Sequence, residues 1–167
     1  TDRGSVRPRR AGGGGPPGRV GLPATGDGAG WVSKLAAQPR RPGGPRGAGT
    51  GLSGGAVTIR GGLALQMTRM RHILEIDPVG QTALVEPGVV NQELSLAAAT
   101  HGLFYGPDPS SQKACTLGGN AAENSGGPHC LYYGVTTNNV LGMEVVFSDG
   151  SIHWVSGDAP DRIGLDI

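Results

Sequence analysis

Ten consecutive residues constrain this chain more than any others: Arg46-Gly47-Ala48-Gly49-Thr50-Gly51-Leu52-Ser53-Gly54-Gly55, with five glycines, two hydroxyls and one arginine. Glycine reaches positive φ freely and lets another backbone or a ligand come close. A run of this kind aims successive backbone N–H groups into one concavity, and such concavities bind anions. The stretch reads as a pyrophosphate-binding loop or, more blandly, as a flexible linker. Two familiar phosphate motifs are excluded by spacing. A G-x-G-x-x-G fingerprint from Gly47 needs glycine where Leu52 stands, and a P-loop from Gly49 reaches Gly54 but then needs lysine where Gly55 stands.

At 167 residues the chain has room for one ordinary domain. A net charge of +1 makes no electrostatic case for a nucleic-acid or membrane partner over the whole chain. Aromatic residues are only 4% of the total, so a core has to rest on Val, Leu, Ile and Ala. No apolar run approaches the ~18 residues of a membrane span. The N-terminus has no apolar signal-peptide region. Cys115 and Cys130 form no C-x-x-C pair, so neither a disulfide framework nor a structural metal site is expected. Reduced thiols in a cytoplasmic protein are the default expectation.

Residues 1–44 are rich in Gly, Pro and Arg and show neither helical nor strand periodicity. Such a segment buries too little surface to offset its chain entropy, so disorder is expected, with at most a helical turn over 31–37. Arg3, Arg7, Arg9, Arg10, Arg40 and Arg41 offer a weak nucleic-acid contact as an alternative function. The leading reading has no nucleic-acid partner.

From residue 57 onward the pattern becomes ordered. Strands are expected over 63–67, 72–77 and 82–86, the last two joined as a hairpin through Asp77-Pro78-Val79-Gly80. A helix is expected over 91–101, capped by Asn91, with Leu94 and Ala98 on one face and Gly102 as its stop. Residues 106–128 form a long Pro/Ser/Gly/Asn-rich connection with a helical turn at 119–124, and such connections are usually functional or disordered. A strand over 140–147 turns through Asp149-Gly150 into another over 152–155. Leu165 and Ile167 read as the opening of a further element.

Within that connection, Pro107-Asp108-Pro109-Ser110-Ser111, Thr116-Leu117-Gly118-Gly119-Asn120 and Asn124-Ser125-Gly126-Gly127 make a second glycine loop. Two such loops on one β-rich scaffold suit a long ligand with a pyrophosphate in its middle. Together with His129-Cys130-Leu131-Tyr132-Tyr133-Gly134 and Val145-Val146-Phe147-Ser148-Asp149-Gly150, these strings closely resemble the FAD-linked subunit of glycolate oxidase. More widely they resemble the D-2-hydroxyacid dehydrogenases, including D-lactate dehydrogenases, of the PCMH-type FAD-binding superfamily. The resemblance covers about residues 45–166.

The resemblance implies an α+β fold, a PCMH-type FAD-binding domain of two small α/β subdomains with mixed sheets, here incomplete and following the disordered segment 1–44. It implies oxidation of a D-2-hydroxyacid, glycolate or D-lactate in type, to a 2-oxoacid, with other glycolate oxidase subunits as partners. By the same resemblance Gly47, Ala48, Gly49, Thr50, Gly51 and Ser53 lie on the FAD pyrophosphate, and Pro107, Ser111, Thr116, Gly118, Gly119 and Asn124 line the second loop. Tyr133 and Gly134 begin the segment that passes the flavin. Arg46 is either a phosphate contact or a solvated cation. Covalently flavinylated members carry histidine where this chain has Thr50, so FAD is expected to be non-covalent.

The family's leading α/β segment has no match in residues 1–44, and its later Gly-Ser-Glu-Gly loop and substrate cap do not follow Ile167. The chain is therefore expected to be a fragment or a truncated reading frame, inactive by itself. His72, His101, His129 and His153 are scattered, and only His129, beside the second loop, is a site candidate. Asp108 and Glu123 sit in loops without a readable paired-carboxylate geometry. No catalytic residue is assigned.

Overall fold

The computed structural model describes residues 19–37, 42–59 and 61–155. A three-stranded parallel sheet opens the fold: β1 (Arg19–Gly21), β2 (Gly43–Arg46) and, between them in space, β3 (Leu63–Gln66). β3 pairs Leu63 with both Arg19 and Gly43, so the first glycine loop leaves the sheet at the C-terminal end of β2. Ala64 and Leu65 of this central strand are buried, as a short apolar run between two partners requires.

The expectation of disorder over residues 1–44 is corrected for part of that stretch. β1, α1 (Gly26–Ala37) and the start of β2 are ordered elements, and α1 is much longer than the single turn expected over 31–37. The physical reason is that both outer strands are held by main-chain bonds, Arg19 N to Gly62 O at 3.0 Å and Leu63 N to Pro42 O at 2.8 Å at their starts. Backbone pairing does not depend on side-chain periodicity, so the Arg-Val-Gly of β1 and the Gly-Gly-Pro-Arg of β2 suffice when a central strand is already in place. α1 begins with the Thr25 hydroxyl accepting from Gly28 N at 3.1 Å. Its glycines allow a close approach: a Cβ at Gly30 would lie 2.9 Å from the Gly150 carbonyl oxygen. Residues 1–18, Arg40 and Arg41 lie outside the described residues, as does the expected element at 157–167.

Two antiparallel hairpins follow. β4 (Ile73–Asp77) and β5 (Thr82–Val85) pair Asp77 with Thr82, close to the expected turn; the Asp77 carboxylate accepts from Val79 N at 2.9 Å. β6 (Met143–Val146) and β7 (Ile152–Val155) pair Val146 with Ile152. Their turn is closed by the Asp149 carboxylate, which accepts from the N–H and the hydroxyl of Ser151.

α2 (Asn91–Ala99) and α3 (Leu117–Glu123) complete the frame that positions the site. Leu94 and Ala98 of α2 are buried on one face, and Gly102 at φ +75 lies just beyond the helix end, as expected. The expectation that Asn91 caps α2 is corrected. Val90 is the cap residue, and its N–H donates to Glu93 Oε2 at 3.4 Å. Asn91 turns inward and is fully buried. Its Nδ2 donates to Pro107 O at 3.1 Å, and its Oδ1 accepts from Asn120 Nδ2 at 2.8 Å. Val89, Leu94 and Leu117 form the apolar core beside this relay, with Ile73, Val85 and Tyr105 packed against it.

Candidate functional site

The first glycine loop closes on its own arginine. Arg46 Nη1 donates to Ala56 O at 2.7 Å, and Gly49, at φ +73, wraps around the guanidinium. Gln66, at the end of β3, donates from Nε2 to Gly47 O at 2.8 Å and fixes where the loop departs from the sheet. Thr50, Gly51, Leu52 and Ser53 are exposed. The backbone N–H groups of Ala48, Gly49, Thr50, Gly51 and Leu52 donate to no protein acceptor among the described residues. The result is a row of open donors backed by a cation, which is the chemistry an anion cradle needs. Of the two readings left open for Arg46, neither is complete: its guanidinium is a staple inside the loop and brings its charge there.

The second loop supplies the surface on which the first one lies. Thr116 is the N-cap of α3, its hydroxyl accepting from Gly119 N at 3.3 Å, and it is buried. A Cβ on Gly47 would overlap the Thr116 hydroxyl and come within 3.9 Å of Gly119 Cα. Further along the helix, a Cβ on Gly51 would meet Glu123 Oε1 at 3.0 Å, and the Ser53 hydroxyl donates to Glu123 Oε2. The first loop therefore runs along α3 from its first turn to its last residue. This brings Arg46, Gly47, Ala48, Gly49, Thr50, Gly51 and Ser53 together with Thr116 and Gly119.

The remaining expected site residues occupy supporting positions. Gly118 is pressed against the other side, where a Cβ would lie 2.6 Å from Pro87 Cβ and where its N–H donates to Pro87 O at 2.9 Å. Pro107 is fully buried and contributes its carbonyl to the Asn91 relay. The Ser111 carbonyl accepts from Ala114 N and Cys115 N, closing a turn before α3. Asn124, left-handed at φ 48, ends α3 and accepts on Oδ1 from Thr137 N and Oγ1. Tyr133, at the end of α4 (Cys130–Tyr133), meets Phe104 edge-on at 5.2 Å, and Gly134 at φ +77 packs against Asn138. Sequence reasoning missed Gln66, Asn91 and Asn120 as determinants of the site and left Glu123 unassigned. Gln66 and Asn120 carry no local signal, and Asn91 reads locally as a cap.

His129 is tied to the second loop by its Nδ1, 2.5 Å from Asp108 Oδ2, and its N–H reaches Asp108 Oδ1 at 3.4 Å. The His129 hydrogen bond holds the Asp108 carboxyl below its ordinary value of 3.8. A carboxyl depressed in the folded state contributes stability above its unfolded pKa and loses it as pH falls through the folded one. The melting temperature should therefore fall on acidification below about pH 4, and Asp108→Asn should flatten that limb. Some acid slope should persist in the variant, because Ser151 depresses Asp149 in the same way. A variant with the parental acid limb would show that the Asp108–His129 pair carries none of it. Among the described residues no cluster of three or more His, Cys, Asp or Glu side chains is arranged to hold a metal ion.

A family model described as "FAD binding domain" matches residues 19–156. Glycolate oxidase subunit GlcD of Escherichia coli (strain K12) is 54% identical over 122 residues, covering 73% of this chain and 24% of that protein. Glycolate oxidase subunit GlcD of Bacillus subtilis (strain 168) is 46% identical over 137 residues, covering 81% of this chain and 29% of that protein. D-lactate dehydrogenase of Anaerostipes hadrus is 41% identical over 121 residues, 72% of this chain and 25% of that protein. The chain thus spans about a quarter of the length of these relatives. Among solved structures, 6-hydroxy-D-nicotine oxidase from Arthrobacter nicotinovorans matches with a TM-score of 0.74 at 24% identity, over 82% of this chain and 29% of that one. Alkyldihydroxyacetonephosphate synthase matches with a TM-score of 0.72 at 26% identity, over 84% of this chain and 26% of that one. The family match opens at Arg19, so the expectation that residues before 45 have no counterpart in the family is corrected for β1, α1 and β2.

Proposed function

The chain belongs to the FAD binding domain family and its cofactor is FAD, and from that premise we propose that the first glycine loop takes the pyrophosphate, non-covalently, with α3 as its floor. The observation that carries this is the row of N–H groups from Ala48 to Leu52 without protein acceptors among the described residues, with the Arg46 guanidinium against Gly49 in the same loop. These groups fit a pyrophosphate: donors for its oxygens and a cation behind them. Gly47 and Gly49 let the backbone approach, Thr50 and Ser53 add hydroxyls, and Gly118, Gly119, Asn124, Tyr133 and Gly134 belong to the supporting segment. Thr50 offers no imidazole for a covalent flavin link.

Bound FAD supplies a hydride acceptor. The reaction we propose for the protein to which these residues belong is oxidation of a D-2-hydroxyacid, of glycolate or D-lactate type, to the 2-oxoacid. The names of the relatives support that class. The word "subunit" in GlcD supports further glycolate oxidase subunits as partners. Among the described residues no helix is long and apolar enough to cross a membrane, and Cys115 and Cys130 are free thiols. The thiols support the cytoplasmic setting that we include in the proposal.

The test is direct. The purified chain is mixed with FAD, desalted and examined by absorbance and flavin fluorescence. Flavin is expected to remain with the protein, and acid precipitation is expected to release all of it. FMN and riboflavin should be retained less well, because they lack the pyrophosphate. A folded chain that keeps no flavin would overturn the reading.

A further inference from the structure

We propose that the Glu123 carboxylate is a resident anion of the first glycine loop, which competes with the phosphates of an incoming dinucleotide and so sets the affinity of the site. The proposal rests on the reading of the loop as an FAD-binding element. Glu123 is the last residue of α3, and its carboxylate reaches back over a stretch of the loop that is mostly without side chains. Oε2 accepts from the Ser53 hydroxyl, while Oε1 lies 3.0 Å from where a Cβ on Gly51 would stand and 3.6 Å from one on Gly55. Glycine at 51 thus makes room for this carboxylate as much as for a ligand.

The position is electrostatically unsupported. A helix C-terminus carries partial negative charge, so a carboxylate there gains nothing from the helix dipole. Glu123 makes no ion pair with Lys, Arg or His among the described residues. Arg46, the loop's own cation, is turned to the Ala56 carbonyl. The same loop carries the five N–H donors of Ala48 to Leu52, and the carboxylate meets it at Gly51, Ser53 and Gly55. The Ser53 contact holds the carboxylate against this end of the loop. When phosphates arrive, each brings negative charge to within several ångströms of a fixed negative charge. Near a surface, the summed repulsion at such distances weakens binding by roughly threefold to tenfold.

Glu123→Gln isolates this effect, because the amide oxygen still accepts from Ser53 and only the charge is removed. FAD, inorganic pyrophosphate and riboflavin are titrated against the parental chain and the variant, with circular dichroism to verify equal folding. FAD and pyrophosphate are expected to bind the variant about three- to tenfold tighter, with the gain shrinking as salt rises. Riboflavin, which has no phosphate, should bind both proteins alike. Unchanged or weaker FAD and pyrophosphate binding overturns the proposal, the weaker case pointing instead to a carboxylate that accepts from ligand hydroxyls. An equal gain for riboflavin also overturns it, because the effect would then be packing rather than charge. A gain for pyrophosphate alone, with FAD bound by neither protein, would uphold the resident anion and sink the cofactor reading. Equal FAD binding by both proteins sinks only the resident anion.

Discussion

Gly47→Val is expected to weaken FAD binding at least ~100-fold, equivalent to about 2.7 kcal/mol. At this position there is no room for a side chain: a Cβ overlaps the Thr116 hydroxyl, and valine adds two methyl groups toward the Gly119 backbone. Thr116 cannot yield freely, because it is buried and its hydroxyl caps Gly119 N at the start of α3. Either the loop lifts off α3 or the cap is broken, and both disperse the donors proposed to face the pyrophosphate. Gly47→Ala should show the same loss in milder form, since overpacking by one methyl costs about 1–3 kcal/mol. Pairing it with Thr116→Gly removes the clashing atoms and should recover part of the affinity, at the cost of the cap. Flavin fluorescence titration reads the affinity, and circular dichroism shows whether the fold survives. Parental affinity in a folded Gly47→Val chain would mean that the loop does not bind FAD where it rests on α3.

Asn91→Ala is expected to destabilise the fold by about 2–5 kcal/mol, the largest stability effect among these predictions. One side chain holds three segments: it donates to the Pro107 carbonyl of the second loop and accepts from Asn120 of α3, while standing on α2 itself. Truncation leaves a buried carbonyl and a buried amide without partners, and adds a cavity at a fully buried position. Asn120→Ala strands only the Asn91 oxygen, so a smaller loss of about 1–3 kcal/mol is expected. Urea unfolding at fixed pH measures both. If Asn91→Ala unfolds within about 0.5 kcal/mol of the parental chain, a range typical of neutral surface changes, the relay does not hold the second loop in place. The two predictions test separable things. Gly47 acts on the contact between the loops, whereas Asn91 acts on the frame beneath the second one.

Features of this chain that depend on a few adjacent residues were legible in its sequence. Glycine, proline and Asx side chains act over one to four residues by steric and hydrogen-bonding rules that need no partner. The turns at 77–80 and 149–150, the stop at Gly102 and the two glycine loops are read this way, and their succession carries the resemblance to FAD-dependent hydroxyacid oxidoreductases. Tertiary structure alone decided the rest. β1 and β2 are strands because β3 supplies their main-chain partners, and stretches as short as Arg-Val-Gly and Gly-Gly-Pro-Arg hold no trace of a neighbour distant in sequence. Asn91 satisfies every local criterion for a cap, yet its amide is drawn inward by Pro107 and Asn120, 16 and 29 residues away. Ser53 and Glu123 stand 70 residues apart, and the contact between them exists only because the first loop comes to lie along α3. Local sterics set which segments turn, but which backbone and which charge they meet depends on packing between distant segments, and that information belongs to the fold.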